Sequence, residues 1–367
     1  YRLFNLGGDL EDLESALNKT DQSRALGSGS CSALIKLLPG NKDLLVSHDT
    51  WNNYQSMLRI MKKYSFAFQA SPQGTCGTPL PPPTLSVEAA DSPIPGGVQA
   101  FSSYPGSIFS GDDFYILSSG LVTLETTIGN SNPALWKFVT PEGTVMEWLR
   151  NVIANRLAKT GKEWAGLFSK FNSGTYNNQW MIVDYNYFTP GKTDTKENLF
   201  TVLEQIPYFE PIFNASGGPQ LVQQYGDWFS FDLNPRAQIF HRNHSQVIDM
   251  ESMIRLMRYN NFMEDPLSVC QGCDPPHNGE NAISARSDLN PANGTYPFGA
   301  LKQRPHGGTD MKVTSFSLYR DYQLLAVSGP TWDQVPPFQW SRSPYSRLLH
   351  MGHPDTWAFP VVRVCWG

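Results

Sequence analysis

Apolar positions three and four residues apart open the chain. In "DLEDLESALN", residues 9–18, Leu10, Leu13 and Leu17 fall on one side of a helix. Residues 19–30 turn polar and end in "GSGS", a linker by composition. Two apolar runs, "CSALIKLL" and "DLLVSH", then flank the turn tetrad "PGNK" and predict a β-hairpin. With its turn centred on Gly40 and Asn41, Cys31 faces Thr50 and Ala33 faces His48. The stretch "DTWNNYQSMLRIMKKYSFAF" places Trp51, Tyr54, Leu58 and Met61 at helical spacing behind an Asp49 or Thr50 cap, so a helix is expected there. Residues 71–97 are Pro-rich and read as a surface insert. Beyond them, "DDFYILSSGLVTLETTIG" and "YNNQWMIVDYNYF" read as strands, whereas "MEWLRNVIANRLAKTGKEWAGLF" and "SQVIDMESMIRLMRYNNF" read as helices. One regular segment, "KVTSFSLYRDYQLLAV", stands out in a C-terminal region rich in Gly, Pro, Asn and Trp. Strands and helices without strict alternation predict a layered α+β fold with mostly antiparallel sheets.

The 367 residues include 40% hydrophobic positions and 10 Trp, enough for a sizeable core. The net charge of −5 and the lack of a basic stripe argue against nucleic acid as a partner. No apolar stretch approaches the roughly 18 residues of a spanning helix. Tyr1 opens in the middle of a pattern, so the sequence is expected to be a piece of a longer precursor that carries a signal peptide. Sequons at Asn18, Asn214, Asn243 and Asn293 are candidate glycosylation sites. Together with a pairable CxxC they point to a secreted or luminal protein.

Five cysteines leave at least one thiol unpaired: Cys31, Cys76, Cys270, Cys273 and Cys365. In "CQGC", Pro275 and Pro276 follow too closely for a helix to lower a thiol pKa, and no second ligand pair completes a metal site. A structural Cys270–Cys273 disulfide is the expectation. Familiar catalytic signatures are absent: no serine elbow, H-E-x-x-H, phosphate-binding lysine loop or dinucleotide fingerprint. What remains is Cys31, a cysteine directly after a slack Gly/Ser run, with an imidazole and an indole brought towards it by the hairpin. Cleavage between Ser30 and Cys31 would give that cysteine an α-amine titrating at about 7.7–8.0, close to its own thiol and able to take its proton.

The motifs "GSGSCSALIKLLPG", "HDTWNNYQSMLRI", "SSYPGSIFSGDDFYIL", "GLVTLETTIGN", "NPRAQIF", "NAISARSDLNPANGTYPF" and "GPTWDQVPPFQW" resemble the phospholipase B-like family over nearly the whole chain. That resemblance implies a four-layer αββα sandwich of the N-terminal nucleophile hydrolase type and a lysosomal glycoprotein. It also implies a precursor cut before its cysteine, with residues 1–30 ending the upstream part and 31–367 forming the larger chain. Carried over position by position, it makes Cys31 the nucleophile, lined by His48 and Trp51, with Thr127 and Arg236 in the pocket. Gln205 stands where the family has an oxyanion asparagine, and the join "VLEQIPYFEPIF" looks short by a segment. No metal or cofactor is implied. The expected partners are an acyl-lipid or N-acyl small-molecule substrate and the N-terminal chain of the same precursor, with a homodimer left open. Ester hydrolysis, amide hydrolysis and a non-catalytic luminal binding role all fit this reading.

Overall fold

Alternate residues of one hairpin feed two different cores, and this decides the architecture. Strand β1 (Cys31–Leu37) pairs antiparallel with β2 (Leu44–Asn53), Cys31 opposite Thr50 and Ala33 opposite His48, the register expected from the turn. Leu44 and Val46 enter one apolar cluster and Leu45 another. The computed structural model describes residues 5–18, 25–29, 31–70, 92–193, 197–206 and 212–367. Ser30, Cys76 and most of the Pro-rich insert lie outside these.

The other described strands of the two large sheets are β3 (Ile60–Ser65), β4 (Val98–Ser103), β5 (Phe114–Leu117), β6 (Leu121–Thr127), β7 (Asn178–Asp184), β8 (Phe200–Glu204), β9 (His306–Gly308), β10 (Asp310–Ser315), β11 (Leu324–Ser328) and β12 (Val362–Val364). One six-stranded sheet runs β1-β2-β10-β11-β12, with β9 also on β2; the other runs β8-β7-β6-β5-β4-β3. Between them lie Val46 and Ala326 from the first, and Phe114, Ile116, Leu124 and Val183 from the second.

Each sheet carries helices on its outer face. Helices α2 (Glu147–Leu157) and α3 (Gly161–Phe168) cover the second sheet through Ala154, Trp164 and Phe168, against Tyr115 and Trp180. Helices α4 (Pro235–Asn243) and α5 (Met250–Met257) cover the first through Ile239, Met253 and Met257, against Leu45 and Val313. The order is helix, sheet, sheet, helix: a four-layer α+β sandwich.

The expected helix over residues 50–61 is not formed. Trp51 to Asn53 continue β2 because β9 offers them a ladder, and Ile60–Ser65 pair with β4. The helical spacing of Trp51, Tyr54, Leu58 and Met61 is overruled by strand pairing. At the N-terminus, α1 (Gly8–Ala16) forms as expected but buries a different side. Leu10 and Leu17 are exposed, while Asp9 is buried. The Asp9 carboxylate accepts from the Glu147 amide at 3.0 Å and caps α2, whose own N-cap residue, Met146, makes no side-chain cap. Asp12 accepts from the Tyr176 amide, and Asn5 from the Ile108 amide. Upstream residues are thereby fastened to the body of the sandwich. The segment "KVTSFSLYRDYQLLAV" becomes a strand, a one-turn helix at Phe316–Tyr319 and a returning strand.

Candidate active site

Cys31 opens β1 at the seam between the two sheets and is buried. Its thiol points at Glu125 of β6, with Sγ 3.8 Å from Oε1. Burial and the nearby Glu125 carboxyl push the thiol well above its ordinary pKa. So placed, this sulfur keeps its proton.

Arg236 reaches the same cysteine from the other side. The "NPR" of the α4 start sets it there: Asn234 caps the helix by accepting from the Arg236 amide, with Pro235 in the first turn. One guanidinium nitrogen donates to the Cys31 carbonyl at 2.6 Å, and the group stacks 4.4 Å from the Trp51 ring. Upstream residues cover this pair. A Cβ at Gly29 would lie 2.9 Å from the Trp51 ring, so only glycine passes there. Gly27 packs against the rings of Trp228 and Phe298, the Ala300 amide donates to the Leu26 carbonyl, and Arg304 donates to the Ser28 hydroxyl. A small cavity remains between Gly29, Trp51, Trp228 and Arg236.

His48 is buried, and both its nitrogens are engaged. Nε2 lies 3.0 Å from the Glu125 carbonyl oxygen, which can only accept, so Nε2 carries the proton. Nδ1 then accepts from the Thr50 hydroxyl, which itself accepts from Lys312 at 2.8 Å. Burial and the Lys312 charge hold the imidazole neutral, well below its usual pKa. Lys312 is anchored by both oxygens of Asp310, whose carboxylate is held at about 2: burial would raise it, but Lys312 and Arg59 outweigh that cost.

Thr127 donates to Glu125 Oε2 at 3.5 Å, and the Tyr176 hydroxyl lies 3.3 Å from Oε1 and 2.8 Å from Asp113. Cys31, His48, Thr127 and Tyr176 thus converge on one residue, Glu125, which the sequence reading did not single out. Its signal was present: an acid inside the strand "LVTLETT". Burial lifts Asp113 to about 7, with Asp112 beside it adding to the rise, and burial likewise lifts Glu125 well above the carboxylate range. Gln205 lies elsewhere. Its Oε1 accepts from Arg150 at 2.6 Å, and its amide nitrogen faces the Ser169 carbonyl.

Cys270 and Cys273 form the expected disulfide, while Cys31 and Cys365 are free among the described residues. Asn18, Asn214 and Asn293 are exposed, and Asn243 is half-buried at the end of α4. No described helix is long and apolar enough to cross a membrane.

A family model described as phospholipase B matches residues 1–207 and 206–364. This chain belongs to the phospholipase B family. Among family members, the human protein named "Putative phospholipase B-like 2" is 61% identical over 390 positions, covering all of this chain and 64% of its own length. The Caenorhabditis elegans "Putative phospholipase B-like 1" is 43% identical, over 99% of this chain and 65% of its own. The Dictyostelium discoideum "Phospholipase B-like protein B" is 37% identical, over 99% and 64%. This phospholipase B family chain therefore spans just under two thirds of these relatives. The human alignment has 390 positions against 367 residues here, 23 more, and the family match breaks at residues 206–207. That break falls within the join that the sequence marks as short. Among solved structures, a mutant of the conjugated bile acid hydrolase from Clostridium perfringens shows a TM-score of 0.39 at 7% identity, covering 82% of this chain and 89% of that one. So loose a likeness adds nothing to the family assignment.

Proposed function

We propose that this chain is the catalytic part of an acyl hydrolase whose nucleophile is Cys31, made competent by cleavage between Ser30 and Cys31. The reading is supported chiefly by one observation: a free cysteine at the first position of a central strand, its thiol on a carboxyl and its carbonyl on an arginine, roofed by upstream glycines. Cleavage would open a cleft lined by Trp51, Trp228 and Phe298, suited to an apolar acyl group, with Arg236 at its base. The new α-amine of Cys31 would take the thiol proton and the sulfur would attack the substrate carbonyl; the substrate's alcohol or amine would leave with that proton, and water would then split the thioester, freeing the acyl group as an acid and restoring the thiol. His48, already neutral and twice hydrogen-bonded, orients the Glu125 strand rather than accepting the thiol proton. Thr127 acts through Glu125. An acyl-lipid ester and an N-acyl amide fit the cleft equally, and the sequons accord with a glycosylated protein of the lysosomal lumen.

Amino-terminal sequencing of the secreted precursor tests the cleavage. Wild type is expected to yield a chain beginning at Cys31, and Cys31→Ala to stay intact. A wild-type protein that stays uncut under acidic and neutral conditions would refute the reading.

A second reading, a family member that keeps the fold without turnover, is favoured by Gln205. The residue proposed to stand for an oxyanion asparagine is held by Arg150. A thiol-directed acyl probe distinguishes the two, since only a working enzyme is labelled at Cys31 after cleavage.

A further inference from the structure

We propose that Glu125 is the catalytic residue of the self-cleavage step, taking the thiol proton of Cys31 before any free amine exists; this rests on the cleavage reading. In the uncut chain the Cys31 nitrogen is an amide and cannot act as a base, so the proton needs another acceptor. Among the described groups around the thiol, Arg236 and Lys312 are cations without a lone pair to offer. His48 has Nε2 committed as a donor to the Glu125 carbonyl and Nδ1 to Thr50. Glu125 Oε1 is the oxygen on which the thiol rests.

The energetics favour this partner. Moving a proton from a buried thiol to a buried carboxylate leaves the net charge of the site unchanged, so no new charge is stranded in low dielectric. The carboxyl is also more basic than a surface one. It shares a hydrogen bond with Asp113 from the turn before β5, and Tyr176 from the loop before β7 touches both. Asp112 lies on the same side but is tied to Arg59, and Glu147 at the start of α2, with Asp9 of α1 behind it, is a further buried acid facing this group. Lys312 of β10 is the opposing charge.

In the step, the S–H bond breaks and its proton moves to Glu125 Oε1 while sulfur bonds to the carbonyl carbon preceding Cys31. As the tetrahedral adduct collapses, the C–N bond breaks and Glu125 returns the proton to the departing nitrogen of Cys31. The products are a thioester and a free α-amine, and water then releases the upstream acyl group as a carboxylate. Glu125 ends in the state in which it began; burial holds its carboxyl well above the usual range, so the step runs through the fraction of chains in which it is ionised.

The test follows cleavage of the full precursor at neutral pH by intact mass, comparing wild type, Cys31→Ala, Glu125→Gln and Glu125→Asp. Expected is cleavage of wild type, none for Cys31→Ala, a rate about a hundredfold or more lower for Glu125→Gln, and an intermediate rate for Glu125→Asp. Equal rates for wild type and a folded Glu125→Gln would overturn the proposal while leaving the cleavage reading intact. An uncut wild type would instead remove the cleavage reading itself. Thermal melting reports folding; if Glu125→Gln does not fold, Glu125→Asp decides, and a wild-type rate in that variant overturns the role.

Discussion

Lys312 has no exposed surface, yet it forms an ion pair with Asp310 in the surroundings of Cys31. Asp310 and Thr50 take its donors, and through Thr50 it fixes the tautomer of His48. Replacing Lys312 with Met would leave Asp310 with Arg59 as its remaining cation and a negative charge in a dry site. The expected cost is about 3–5 kcal/mol, read as a lower urea midpoint. At this scale the sequence was legible where chemistry is unusual for its setting. The arginine behind an Asn-Pro cap reaches the Cys31 carbonyl, whereas the histidine on the facing strand is linked to Cys31 only through Glu125. Glu125 escaped for a physical reason. Period-two alternation in "LVTLETT" puts Val122 and Leu124 in the core and makes Thr123 and Glu125 read as solvent-facing. In the sandwich neither residue meets solvent: Thr123 bonds to Asn155 of α2, and Glu125 is buried.

Among the elements, the first hairpin was readable because a tight turn fixes register and leaves little freedom. The segment after it was not, since its apolar spacing suits a helix and its true partners lie 33–43 and 253–257 residues further along the chain. Only those distant strands make it extended. Helix α1 teaches the same lesson about faces: a short acidic helix was expected to bury leucines and instead buries the aspartate that caps α2. Gly8 of α1 lies so close to Tyr176 that an added Cβ would fall 1.9 Å from its ring. Gly8→Ala is therefore expected to push Tyr176 away from Glu125 and to cost about 1–3 kcal/mol. Thermal unfolding measures the cost, and the rate of the proposed cleavage before Cys31 should fall with it.

For the molecule as a whole, the burial of so many acids sets a pH dependence. Folded Asp113 keeps its proton to about 7, against 3.8 as its ordinary value, so between those limits the folded state binds more protons than the unfolded one. Stability from this group is fully present below 3.8 and lost as pH rises through about 7. Glu125, Glu147 and Asp49, raised in the same way, add to the fall. His48 acts oppositely, because a neutral buried imidazole loses stability below its ordinary 6.5. The acids outnumber it, so the melting temperature should decline from acidic towards neutral pH, and Asp113→Asn should flatten that decline. The layered α+β class was visible from element content alone, but the inward turn of these acids was not, because it depends on two sheets closing over them.

Helix α1 belongs to the part of the sequence upstream of Cys31, yet its anchors, Asp9 on α2 and Asp12 on the Tyr176 amide, are buried or half-buried in the larger part. Severing the backbone at residue 30 would sever none of them. The mature particle would then run as two bands on a denaturing gel and as one species on a sizing column. Stripping off the small fragment with denaturant would take away Gly8, which backs the Tyr176 ring beside Glu125, and adding the fragment back during refolding would restore that support.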